Sequence, residues 1–102
     1  MLIVPTQAIP NQTFQVTLDQ QQVSITLRQS SYGLFADIVS NNTPIANGQI
    51  CENENRLLKE EGYRGFIGDF VFFDTLGEGV DPIYAGLGVR FLLIYLEAAD
   101  IP

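Results

Sequence analysis

With 102 residues, 46% of them hydrophobic and 17% charged, the chain has the composition of one small globular domain spanning 1–102, not of a disordered segment. Twelve acids against five bases give a net charge of −7, and Arg28, Arg56, Lys59, Arg64 and Arg90 do not cluster, so the basic patch that nucleic-acid binding requires is missing. With one cysteine, no basic leader and no apolar run near the ~20 residues of a membrane helix, the expectation is a protein made in a cytoplasm, without membrane contact or an internal disulfide.

Along the chain, Phe14, Val16 and Leu18 alternate with Gln15 and Thr17, and Val23, Ile25 and Leu27 alternate with Ser24 and Thr26. With polar residues 19–22 between them, this period of two predicts an antiparallel hairpin with one face on a core. A third strand is predicted over 34–40, turn chemistry follows at 41–44, and a fourth strand over 45–51 carries Gly48 as a bulge or close backbone approach. Residues 52–61 are good helix formers, with Leu57 and Leu58 as apolar contacts, Asn53 or Asn55 as a cap and Gly62 as a stop. They predict one short α-helix. Strands over 66–75 and 87–96 complete a mainly β domain, a small β-barrel or two-layer sandwich of about six antiparallel strands. Both faces of the runs 70–73 and 91–96 are apolar, more than a chain of this length covers alone, which predicts a partner subunit.

The reactive inventory argues against an enzyme, a cofactor or a metal centre. There is no histidine to act as a general base or to activate Cys51, which ends an alternating strand and is expected in the core. Gly77, Gly79, Gly86 and Gly88 lack the following Lys-Ser/Thr or helix start of a phosphate cradle and read as turn residues. Asp74, Glu78 and Asp81 flank a glycine-rich loop, but their spacing is not that of a calcium loop. Asp69 and Asp74 stand five apart on one strand, so they point to opposite faces and cannot act as a carboxylate pair. Arg90 opens an apolar run and needs acceptors there; Asp74 is the natural one, with Asp69 behind it or a neighbouring subunit as alternatives. The structural or interface candidates are therefore Arg90, Asp74 and Asp69, with Phe70, Phe72, Phe91, Tyr95 and Tyr84.

The stretches 9–18, 65–75 and 81–96, and above all the closing Tyr84-x-Gly86-Leu87-Gly88-x-Arg90-Phe91, resemble the baseplate plug family of contractile-tailed phages, cyanophages included. The similarity runs over nearly the whole chain, although Val89 stands where family members often have Ser. The resemblance implies a β-rich structural protein of the virion at the centre of the tail baseplate, synthesised in the host cytoplasm. It also implies contacts with hub, tail tube and central spike proteins, and a homotrimer or other axial ring. Acidic character suits a component beside a channel for DNA, since like charge prevents sticking. The alternative from the residues alone is a small β-barrel module binding a peptide or ligand at an open strand edge.

Overall fold

The computed structural model describes residues 2–58, 68–97 and 100, and among these the chain forms seven strands in two antiparallel sheets. Strands β2 (Asn11–Leu18), β3 (Gln21–Ser30), β4 (Gly33–Ser40) and β5 (Thr43–Ile50) form a meander in sequence order. Strands β1 (Leu2–Val4), β6 (Asp69–Asp74) and β7 (Phe91–Leu96) form the second sheet, in the order β1-β7-β6. Of the meander's three two-residue hairpins, two turn on Asp19-Gln20 and Asn41-Asn42, all four with positive φ, the geometry that matches strand twist, and the third turns on Ser31-Tyr32. Asn41 reinforces its turn by accepting the Gln22 N–H at 3.1 Å.

One core lies between the sheets, filled by Val23, Ile25, Leu27, Leu34, Ala36 and Ile38 from the meander and by Phe70, Phe72, Phe91, Leu93 and Tyr95 from the other sheet. This is the two-layer arrangement; no closed barrel forms among the described residues. Tyr95 clips the layers together. Its ring lies 5.4 Å from that of Phe70, and its hydroxyl donates to Asp19 Oδ2 at 2.6 Å, reaching the β2–β3 turn. Gly68 permits this packing, since a Cβ there would stand 2.5 Å from the Tyr95 hydroxyl oxygen.

Burial pushes the Tyr95 phenol well above its ordinary value near 10, and the Asp19 carboxylate adds to the effect. A raised folded-state pKa gives stability that is complete below pH 10 and is lost as the pH climbs beyond it. Tyr95→Phe should cost about 1–2 kcal/mol at neutral pH in urea melts, and should flatten the loss of stability above pH 10. An alkaline profile equal to that of wild type would show that the phenol is not the group responsible.

Two expectations need correction. No helix forms over the described part of 52–61: Glu54 takes a left-handed φ of 59°, and residues 53–57 instead run beside β6. Glu54 and Leu57 donate to the carbonyls of Phe72 and Phe70 at 2.8 and 2.9 Å, and Asn53 Oδ1 accepts the Asp74 N–H at 2.9 Å. Two turns of helix are marginal alone, and the unpaired edge of β6 offers these backbone groups better partners. Residues 59–61 and Gly62 lie outside the described residues, as do Phe66 and Ile67 of the strand predicted over 66–75. Second, β7 begins at Phe91, not at 87. Gly88, at φ +81°, packs where a Cβ would meet the Thr6 carbonyl at 2.7 Å, so 88–90 form a turn. As the surplus of apolar residues implies, the chain covers only one face of β6 and β7: Phe70, Phe72, Phe91, Leu93 and Tyr95 are buried, while the residues between them are half-buried or exposed.

Candidate functional site

The connection between β6 and β7 is closed by an ion pair. Arg90 Nε and Nη2 donate to the two carboxylate oxygens of Asp74 at 2.9 and 3.0 Å, the bidentate geometry that a planar guanidinium favours. Nη2 also reaches Glu78 Oε1 at 3.0 Å, and the guanidinium carbon sits 5.0 Å from the centroid of the Phe91 ring. Asp74 is 1% exposed and Arg90 30% in their side chains. The Asp74 carboxylate also accepts the backbone N–H groups of Leu76 and Val80 at 3.0 and 3.1 Å, so it organises the whole start of the loop. Asp81 is used in a similar way, accepting the Asn53 N–H at 3.0 Å. The acids of this loop are thus bound into structural contacts. Among the described residues no group of three or more His, Cys, Asp or Glu side chains could hold a metal ion.

The hydrogen bonds from Arg90 hold the Asp74 carboxyl well below the usual carboxylate range, with the two backbone N–H groups assisting. Its partner Arg90 is correspondingly raised, first by the same hydrogen bonds. Because the folded value of Asp74 is depressed, the stability it contributes is present above its ordinary pKa of 3.8 and is lost as the pH falls below it. Stability measured by urea melts should therefore fall from about pH 4 downward, and Asp74→Asn should remove part of that slope. An unchanged acid limb would overturn this assignment.

Asp69 does not stand behind Asp74. It lies at the other end of β6, fully buried, with Oδ1 accepting the N–H groups of Leu58 and Phe70 at 2.8 and 2.7 Å and with Arg56 Nε 3.9 Å from Oδ2. Arg90 precedes β7 and is not part of its apolar face. Tyr84 sits in a 3-10 turn, Tyr84–Gly86, partly exposed, and its N–H donates to Gln29 Oε1 at 2.9 Å. Cys51 is buried, and burial pushes its thiol up to about 12.

The aromatic candidates Phe70, Phe72, Phe91 and Tyr95 belong to the core and present no surface to a partner. The outward set consists of the residues between them. Register pairs Ile3 with Ile94 and Ile94 with Val71, and Phe73 with Leu92, so Ile3, Val71, Phe73, Leu92, Ile94 and Leu96 share one outer face. Every member is apolar; Ile3 is 62% and Phe73 40% exposed. Glu54 and Arg56 stand at the rim of the concavity over Val71, Phe73, Ile94 and Leu96. By contrast, the outer face of the meander is mostly polar, carrying Thr13, Gln15, Thr17, Ser24, Thr26, Arg28 and Asp37, with Phe35 and Val39 among them. An apolar sheet face of this kind marks an interaction surface. No alternation of polar and apolar residues marks this outer set, since the runs 70–73 and 91–96 are apolar at every position. The strand β1, which supplies Ile3, had no local signal.

Among models of known families, one described as "Cyanophage baseplate Pam3 plug gp18" matches residues 1–98. No curated protein matches the chain.

Proposed function

The chain belongs to the cyanophage baseplate plug family, and from that membership we propose that it fills the axial channel of a contractile tail, as a ring of copies touching hub, tube and spike proteins. As a baseplate plug it is a structural part of the phage tail. The observation that carries the finer reading is the contrast between the two outer faces. One is mostly polar, and the other presents the apolar Ile3, Val71, Phe73, Leu92, Ile94 and Leu96, with Asp69 buried at its end and Glu54 and Arg56 beside them. Half-buried side chains on a regular sheet provide a rigid seat for another protein, since little side-chain freedom remains to be lost on binding. Asp74, Glu78, Asp81 and Arg90 are occupied with one another or with backbone groups, in keeping with a structural role and no catalysis.

A reconstruction of the virion tests this directly. The expected result is density for the chain on the tail axis with the face around Phe73 and Ile94 covered by a neighbouring chain. Isolated copies at the baseplate periphery, with that face open to solvent, would overturn it.

A further inference from the structure

Two sheets give four edges, and the chain treats them differently. The edge of β6 is covered by residues 53–57. The edge strand β5 contains Pro44, and its pairing with β4 shifts register twice. The edge strand β1 is three residues long and is followed by Pro5. Short strands, prolines, irregular pairing and covering segments are the usual means of blunting an edge. The remaining edge, β2, has none of them: eight residues, Asn-Gln-Thr-Phe-Gln-Val-Thr-Leu, without charge or proline, in unbroken register with β3 from Asn11↔Arg28 to Leu18↔Gln21.

The backbone of β2 alternates in the direction it offers hydrogen bonds. Gln29 donates to the Pro10 carbonyl at 2.8 Å, which makes Gln12, Phe14 and Val16 the residues bonded to β3 and leaves the N–H and C=O groups of Thr13, Gln15 and Thr17 facing outward. Their side chains do not screen these groups. Thr13 Oγ1 lies 3.0 Å from Thr26 Oγ1, and Gln15 Oε1 accepts from Gln22 Nε2 at 3.2 Å, so both lean inward over β3. On the core side, Phe14 and Val16 are only partly buried, although Ile25 and Val23 opposite them are 1% and 0% exposed. The core is unfinished along this edge.

We propose that two copies of the chain join through β2, antiparallel about a two-fold axis at Gln15, to make one continuous sheet. The sequence of β2 is self-complementary in that register. With Gln15 opposite Gln15, Thr13 faces Thr17 of the second copy, so that the outward backbone groups exchange about six hydrogen bonds. Phe14 then faces Val16 of the second copy on the core side, an aromatic–β-branched pair of the kind that stabilises sheets, and each covers the apolar surface the other leaves open. Although the chain carries a net charge of −7, β2 itself has no charge, so the contact opposes no like charges within the strand. A two-fold contact on one edge closes on itself and leaves no further edge to extend. The pairing is a property of the free chain and does not rest on the axial assignment.

Sedimentation of the purified chain at micromolar concentration should give twice the mass of one chain. Gln15 is exposed, so charged variants should keep the wild-type circular dichroism. Gln15→Lys alone and Gln15→Glu alone each set like charges face to face across the axis and should sediment as single chains. Mixing the two should restore the doubled mass, and exchange of the Thr13, Gln15 and Thr17 amides should slow as concentration rises. The proposal is overturned if wild type is a single chain or a trimer, or if the separate variants still dimerise through another face. It is overturned equally if the mixture stays at the mass of one chain, since the register at Gln15 is then wrong.

Discussion

Arg90→Ala is expected to lower the melting temperature by on the order of 10 °C or more, or to abolish cooperative folding altogether. The guanidinium supplies both of the side-chain donors that Asp74 receives, in a pair whose acidic member is almost completely buried. Without it, Asp74 keeps only the N–H groups of Leu76 and Val80 and has no countercharge. A buried charge deprived of its partner is among the few changes that destabilise a small domain severely. The damage would spread, because the same carboxylate holds the first turn of the loop after β6 and Arg90 covers the Phe91 ring. Arg90→Lys should recover only part of the loss, since an ammonium cannot span both carboxylate oxygens in one plane. Arg28→Ala is the control: its pair with Asp37 at 3.0 Å is half exposed, and such pairs contribute about 0–1 kcal/mol. If Arg90→Ala melts with Arg28→Ala, the ion pair does not hold this end of the domain.

The second large effect is expected on assembly and not on folding. Phe73→Asp alters a residue that is 40% exposed on the apolar outer face, so its urea melt should stay within about 1 kcal/mol of wild type. Burying the new carboxylate against another protein would cost far more than it costs in water. Anchors of this kind are worth about 2 kcal/mol or more to an interface, roughly a thirtyfold loss of affinity. Purified particles should therefore lack the chain or hold it substoichiometrically. Val89→Asp removes an even more exposed apolar side chain, away from that face, and should leave incorporation unchanged. Equal incorporation of the two variants would mean that the face around Phe73 is not the seat.

The meander was legible because its information is local. Alternation sets the faces of β2 to β4, and Asp19-Gln20 and Asn41-Asn42 are short polar turns that tolerate positive φ, so strand order and register follow from neighbours in sequence. The pair Arg90–Asp74 was legible for a different reason: a lone cation beside an apolar run requires an acid, and few were near. What stayed hidden was set by distant partners. Residues 53–57 have helix-forming composition, yet the edge of β6 settles their conformation. Nothing in Leu2, Ile3 or Val4 announces β7 as their neighbour. The choice between core and surface in β6 and β7 was obscured because both faces are apolar, and only the packing of the meander on one side distinguishes Phe72 from Phe73.

The pairing of Leu2 with Tyr95 also fixes an order of events during synthesis. As the chain leaves the ribosome, the meander can form from what has already emerged, each strand finding the one just before it. Strand β1 is made before the meander and yet has no partner until β7 has been made, with everything between Val4 and Phe91 as the loop to be closed. Such distant closure is slow, because its entropic cost precedes any gain from the contact. In the interval Val4 and the inner face of the meander are uncovered, so the nascent domain is most prone to stray association just before its last strand arrives.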